Sequence, residues 1–455
     1  GLPISATTLT LLGDATPELR EPWPREALDD LLVLLGSGRA APAVIEALDR
    51  TGLWGRLLPE WGAVRDLPPR DVIHTWTVDR HLVETAVQAA ALATRVSRPD
   101  LLVLGALLHD LGKGRGGDHS VVGAELANRI GKRLGLPDRD VQILHTMVRH
   151  HLLLPDTATR RDLEDPDTVA RVVDTLDGDV TVLELLHALA EADSLATGPG
   201  VWNDWKARLI GDLAWRCRLV MAGSPLPAPA PPDPAATAIA ADGGIHVAIE
   251  PDTAGGGSGQ RLYAVTVIAP DTAGLLSASA GVLALFSLRV WSAAVQTHRG
   301  AAINSFVVAP RFGEPPEPEL LRQELIRALN GDLDLIAQLS RKERDAVAGS
   351  PLRTGAAGVP TLYSQAPPRI IWSEAVDAVI LEIRSEDRLG LLCRLAAMLA
   401  HCGADVQWAK VSTLGVTVID SFGLDIGPDA PARRADIEAA LMSVLPQPEP
   451  RPGRP

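Results

Sequence analysis

One stretch of this chain repeats itself at a fixed offset of 116 residues, and no other feature restricts the fold so tightly. Asp271-Thr-Ala-Gly274-Leu275-Leu276 returns as Asp387-Arg-Leu-Gly390-Leu391-Leu392. The same offset, without a gap, pairs Leu283 with Leu399, Val290 with Val406 and Val295 with Val411. It also pairs Ile303, Ser305 and Phe306 with Ile419, Ser421 and Phe422. Each copy reads strand, Asp-containing turn, helix, strand, short turn, strand, helix, a ferredoxin-like βαββαβ unit. A fourth strand is hard to place after the second helix of either copy. The β-rich segments just upstream, Ile245–Ile249 and Arg369–Trp372, offer the missing edge.

Ahead of the repeat the apolar spacing is helical. Arg25 to Leu58 reads as two or three short helices, broken at Gly36-Ser37-Gly38 and Thr51-Gly52. Asp71–Arg95 reads as one long helix carrying His81. Further helices are expected over Leu101–Leu111, Val121–Leu134, Arg139–Leu152, Asp165–Leu176, Thr181–Ala196 and Asp204–Met221. No alternating pattern interrupts 71–221, so that stretch is one all-helical domain. Residues 1–20 resemble a short β-rich tail. After Gly223 the run GSPLPAPAPPDPAATAIAADGG reads as an extended, semi-rigid linker. The expected organisation is multidomain α+β: a helical connector over 1–70, the all-helical domain over 71–222 and a linker over 223–243. The repeats follow over 244–344 and 369–447, with a second linker over 345–368.

With 455 residues, 46% of them hydrophobic and 22% charged, the chain has material for several real cores. A net charge of −14 argues against a general nucleic-acid binder, because that affinity comes from excess Lys and Arg. The cysteines, Cys217, Cys393 and Cys402, form no CxxC pair and no disulfide framework. No apolar run approaches the ~20 residues of a membrane helix, and GLPISATTLT lacks the basic flank and apolar core of a signal peptide. A cytoplasmic protein without membrane partners is the expectation.

Chemistry concentrates in Leu101–Ser120, LLVLGALLHDLGKGRGGDHS. An apolar helix delivers His109 and Asp110, both metal-ligand types. A glycine-rich loop follows with Lys113, Arg115, Asp118 and His119, and two cations in such a loop suit a phosphate group. Taken alone, a His-Asp pair at a helix end is more often a surface feature.

Four segments change those odds: HTWTVDRH (74–81), HDLGKGRGGDHS (109–120), VRHHLLLPDTATRRDLEDP (148–166) and ADSLATGPGVWNDWK (192–206). Together they resemble the bifunctional uridylyltransferase/uridylyl-removing enzymes of the nitrogen regulatory protein PII, and the repeats look like the tandem ACT domains of that family. The resemblance runs from about residue 25 to 445. It implies an HD-superfamily metal-dependent phosphohydrolase domain, with His81, His109, Asp110 and Asp193 as ligands of a divalent metal, Mg²⁺ or Mn²⁺. It gives His119, His151, Lys113 and Arg115 roles in catalysis, and Arg160 and Arg161 contacts to the nucleotide. His145 and His150 match the pattern less well and read as surface or supporting residues, and His187 as structural.

The implied reaction is hydrolytic removal of UMP or AMP from modified PII, with glutamine as effector at the repeats. The effector site falls on Asp271, Gly274 and Leu275 or on Asp387, Gly390 and Leu391. A DxxGLL turn that simply caps a helix and packs two leucines is the other reading, and both copies depart from the commoner DRPGLL form at Thr272-Ala273 and at Leu389. The family's transferase half needs a Gly-Ser turn and an Asp-x-Asp pair. Gly36-Ser37-Gly38-Arg39 imitates the turn, but Asp49 and Asp66 make no such pair. The forward transferase activity is therefore expected to be missing. Two further readings stay open: an alarmone-type phosphohydrolase regulated by amino acids, and a non-catalytic sensor that binds PII.

Overall fold

The structure, a computed structural model, describes residues 5–69, 74–227, 234–252, 261–298, 300–348, 367–374, 379–414, 417–427 and 430–446. The chain divides into two units, one of residues 1–158 and 165–226, the other of residues 159–164 and 227–455.

The first unit is helical. Its early elements are α1 (Ala6–Ala15), α2 (Arg25–Gly36), α3 (Ala41–Arg50) and α4 (Leu53–Leu57). The tail expected to be β-rich is α1 from Ala6 onward, because Ser5 caps its N-terminus by accepting from Thr8 N at 3.1 Å. Residues 1–4 lie outside the described residues. Next come α5 (Val78–Ala91), α6 (Pro99–Leu108), α7 (His119–Arg133) and α8 (Asp138–Arg149). They are followed by α9 (Leu153–Arg160), α10 (Pro166–Thr175), α11 (Val180–Thr197) and α12 (Asp204–Met221). The helix expected from Asp71 starts only at Val78, with Thr77 extended before it; Arg70–Ile73 lie outside the described residues.

α6 positions everything else. Pro99 sits at its N-terminus, where a missing N–H costs nothing, and Leu101 through Leu108 are all buried. A helix apolar on every side must be wrapped; α2, α5, α8 and α11 pack around it. Each fully buried leucine contributes roughly 1.5–3 kcal/mol. Side-chain caps start the surrounding helices: Asp118 for α7, Asp165 for α10, Asp179 for α11 and Asn203 for α12. Trp54 and Trp61 meet edge to face at 5.6 Å. Arg133 grips Glu60 through two 2.7 Å hydrogen bonds, fastening the segment after α4 to α7. Among the described residues, no single helix is long and apolar enough to cross a membrane.

The second unit begins with α13 (Pro234–Ala241). This helix lies inside the stretch expected to be extended. Pro234 opens it, the alanines that follow are the best helix formers, and Ala240 is buried with Ile268, Ala301 and Ile303. The first repeat comprises β1 (His246–Pro251), β2 (Tyr263–Pro270), α14 (Leu275–Leu285), β3 (Leu288–His298), β4 (Ala301–Pro310) and α15 (Pro318–Leu329), followed by α16 (Leu335–Ala348). The second comprises β5 (Arg369–Glu374), β6 (Val379–Glu386), α17 (Leu391–His401), β7 (Asp405–Leu414), β8 (Thr417–Asp425) and α18 (Ala430–Val444). Of the linker expected over 345–368, residues 349–366 lie outside the described residues.

All the strands form one antiparallel sheet of order β1-β2-β4-β3-β7-β8-β6-β5. Each half has the ferredoxin-like strand order, with the edge strand supplied from upstream by β1 or β5. The 116-residue offset holds in the backbone: the same bulge follows Val290 in β3 and Val406 in β7. Ser287 and Gly403, counterparts at that offset, both adopt the left-handed conformation, with φ of +59° and +69°. The core runs through both repeats, from Phe306 and Leu283 to Phe422 and Leu399. The joining of the halves through β3 and β7 was not legible in the sequence.

Candidate metal centre

Four histidines and Asp193, brought by α5, α11, the start of α7 and the turns after α6 and α8, meet around the Asp110 carboxylate. His81 projects from α5, where Thr85 donates to its carbonyl at 2.8 Å. His109 and Asp110 occupy the first positions after α6, Asp193 lies on α11, His119 opens α7 and His151 follows α8. His81, His109 and Asp193 form one group able to hold a metal ion; Asp110, His119 and His151 form a second.

Asp110 serves both groups with different oxygens. Its Oδ2 lies 3.4 Å from His109 Nε2 and 4.0 Å from His81 Nε2, and it pairs with the Lys113 ammonium. Its Oδ1 lies 3.5 Å from His119 Nε2 and 3.7 Å from His151 Nε2. Asp193 Oδ1 stands 3.0 Å from His81 Nε2 and 3.6 Å from His109 Nε2.

The rings are oriented for ligation. His109 Nδ1 donates to the Ala106 carbonyl and His151 Nδ1 to the Val148 carbonyl, each at 2.8 Å. A nitrogen facing a carbonyl must carry the proton, so each Nε2 turns an unprotonated lone pair toward the carboxylates in the neutral ring. Among the described residues, His109 Nε2 and Asp110 Oδ1 are buried without a hydrogen-bond partner. Such an orphan costs roughly 1–3 kcal/mol, a cost that a bound cation removes. The donor set therefore fits a divalent metal.

Electrostatics point the same way. Burial opposes protonation of His109, yet the Asp110 and Asp193 carboxylates outweigh it and hold the ring up at about 10. Burial would raise both carboxyls, but His109 and Lys113 pull Asp110 down, and His109 and His81 pull Asp193 down, well below the usual range. Both carboxylates stay ionised and draw positive charge to this point, a proton on His109 or a cation in its place. Burial lowers His151 to about 4 and also lowers His119, so both are neutral ligands or acceptors near pH 7. Lys113 at 30% and His119 at 32% side-chain exposure open the cluster to solvent, whereas His81, His109 and His151 are at 3% or less.

Not every residue singled out in the sequence gathers here. Arg115 turns away, its guanidinium donating to the Glu60 carbonyl at 2.5 Å and the Leu111 carbonyl at 3.4 Å, and so clamps the loop. Arg160 and Arg161 fall in the 159–164 segment that groups with the second unit. Leu275 and Leu391 are buried, while Gly274 and Gly390 hold φ of +88° and +73° just ahead of α14 and α17. Asp271 and Asp387 begin those same turns.

Other residues were missed. His74 lies edge-on to His81 at 5.5 Å. Lys206 donates to Ser194 Oγ at 3.0 Å beside Asp193, and burial lowers its pKa against the pull of Asp193. Both belonged to motifs already noticed: the first histidine of HTWTVDRH and the lysine of NDWK. Asn203 in that second motif starts α12 by accepting from Lys206 N at 2.9 Å.

A family model described as HD domain matches residues 78–179, a span that holds His81, His109, Asp110, His119 and His151. A Mycobacterium tuberculosis protein named bifunctional uridylyltransferase/uridylyl-removing enzyme is 57% identical over 98% of this chain and 55% of its own length. The chain is a homologue of the bifunctional uridylyltransferase/uridylyl-removing enzymes. Proteins of that name from Streptomyces coelicolor and Rhodospirillum rubrum are 41% and 29% identical over 95% and 99% of the chain. The chain spans about half the length of these relatives, 55% and 54% of the latter two.

Proposed function

We propose that the helical unit hydrolyses the phosphodiester of a nucleotidylated protein, releasing UMP or AMP from modified PII in the cytoplasm, and that glutamine at the sheet repeats regulates it. The observation that carries this reading is the shared carboxylate of Asp110, flanked by two groups of metal-ligand type, with Lys113 at the exposed mouth. His81, His109, Asp110 and Asp193 would hold Mg²⁺ or Mn²⁺. When bound, the ion lowers the pKa of a water and offsets charge on the phosphoryl oxygens.

The chain's own residues do the rest. Lys113 and His119, the members open to solvent, receive the phosphoryl group. Water oxygen bonds to phosphorus as its proton passes to the neutral His119 ring, the bond from phosphorus to the oxygen of the modified tyrosine breaks, and Lys113 supplies a proton to the departing phenolate. Asp110 and Asp193, held ionised, keep the ligand rings oriented throughout. Forward transfer is not expected of this chain, in which no Gly-Ser turn is followed closely by an Asp-x-Asp pair.

The test is a substrate panel: UMP-PII, AMP-PII and guanosine tetraphosphate, each with Mn²⁺ or Mg²⁺. Release of one nucleotide from PII, with the alarmone untouched, is the expected result. Consumption of the alarmone alone would move the assignment to a small-molecule phosphohydrolase.

A further inference from the structure

The imidazoles of the helical unit form a row that is longer than the metal centre. His81 lies 5.3 Å from His109, His109 5.3 Å from His151, and His151 5.4 Å from His119, each pair edge to face. His74 adds a further ring at the His81 end, 5.5 Å away and at 81° to it. The inner rings, His81, His109 and His151, are buried. The end rings, His74 and His119, are only half-buried. His119 belongs to one of the two groups able to hold a metal, whereas His74 belongs to neither.

The backbone around His74 is fixed beside a ligand. Thr75 N donates to the Thr197 carbonyl at 2.9 Å, and Val78 N to the Leu67 carbonyl at 2.9 Å. Thr197 in turn donates its hydroxyl to the Asp193 carbonyl at 2.8 Å and reaches Asp193 Oδ1 at 3.4 Å. The extended run before α5 is thereby tied to α11 one turn from Asp193. The ring itself is not tied in the same way. His109 and His151 each turn Nδ1 to a carbonyl. Among the described residues, His74 Nδ1 is buried without a partner. A ring placed only for packing would carry that cost, roughly 1–3 kcal/mol, where an apolar side chain would not.

Lys113 stands near both ends of the row. Burial and then the Lys113 ammonium lower the pKa of His74. Burial lowers His119, and the same ammonium adds to it against the pull of Asp110. Displacement at phosphorus needs the attacking and leaving oxygens roughly in line, on opposite sides. His119 takes the proton of the attacking water at one end, so the departing oxygen lies toward the other, past Lys113.

We propose that His74 serves the leaving group: its ring N–H donates a hydrogen bond to the tyrosyl oxygen as the bond from that oxygen to phosphorus breaks. His74 transfers no proton. The proton of the water still passes to His119, and the phenolate still receives its proton from Lys113. A donor aimed at an oxygen that gains negative charge only during the reaction favours the transition state over the bound ester. The inference rests on the reading that this centre hydrolyses a tyrosyl phosphodiester, and it adds the residue that meets the departing oxygen.

The experiment compares two esters on the whole manganese-loaded chain: nucleotidylated PII carrying its natural tyrosine, and the same protein carrying a fluorinated tyrosine, whose more acidic phenol departs with less help. His74→Ala slows release from the natural ester by about 100-fold, the loss typical of one such donor, and slows the fluorinated ester far less. His74→Gln, which keeps an N–H donor, is faster than His74→Ala on the natural ester only. His119→Ala slows both esters alike, because both need the water activated. Bound manganese is the same in the parent and in both His74 variants. Either His74 variant slowing the two esters equally, or losing manganese, would overturn the assignment and leave His74 a structural residue. A parent chain that binds manganese and releases nothing from either ester would sink the hydrolase reading itself, and this assignment with it, so the two failures are told apart.

Discussion

The helical cluster and a cleft of the sheet unit lined by Asp387 and Asp420 both bury carboxylates, and they treat them in opposite ways. Asp110 and Asp193 are surrounded by imidazoles and an ammonium that hold them ionised in spite of burial. Asp420 faces Asp387 and no cation of its own, and it is pushed toward the neutral form. The first arrangement stores negative charge and is completed by a metal ion. The second leaves a buried carboxyl oxygen without a hydrogen-bond partner among the described residues. The two sites are distinguished by which groups stand beside a buried acid.

A large effect that sharpens this contrast lies at Lys206, the lysine of the NDWK motif. It sits behind Asp193 through Ser194, so Lys206→Met should slow nucleotide release by about 10–100-fold, as loss of a supporting partner of a metal ligand does. Glutamine binding should not change. A variant that released nucleotide at the parental rate would remove Lys206 from the centre.

A smaller effect tests the cleft by pH. Burial and the neighbouring Asp387 push the Asp420 carboxyl up to about 8, well above an ordinary carboxyl, so the folded state binds the proton more tightly. Stability from this group is present below about pH 4 and is lost as pH rises through the folded value. The melting temperature of Asp420→Asn, minus that of the parent, should therefore be near zero in acid and grow steadily between pH 4 and 8. A difference independent of pH would show that the carboxyl is not held neutral.

The smallest effect concerns the start of α12. Asn203→Ala removes the side-chain cap and should cost about 1 kcal/mol, lowering the melting temperature by about 2–4 °C for a unit of this size. Because the cap binds Lys206 N, the same variant should also weaken nucleotide release slightly. Melting unchanged, by scanning calorimetry, would make the cap dispensable.

Much of this was legible in the residues. The 116-residue repeat predicted the paired halves and even their missing edges, because a side-chain period of two and a DxxG turn leave few alternatives. The buried apolar run of Leu101–Leu108 predicted a central helix delivering His109 and Asp110. The sequence was poorer wherever a local cap or a distant partner decided. Ser5 turned a β-like run into helix, and the alanines after Pro234 outweighed the prolines before them. Arg115 looked like a phosphate ligand, since nothing in the sequence shows that the Glu60 carbonyl lies within its reach.

The most direct measurement is nucleotide release from uridylylated and adenylylated PII by the parent chain and by Asp110→Asn, with bound manganese measured on the same samples. This account predicts that the parent binds manganese and releases one nucleotide. The variant, folded to the same circular dichroism, should lose metal and slow by about 10³-fold. A folded Asp110→Asn chain that still released the nucleotide at the parental rate would contradict it.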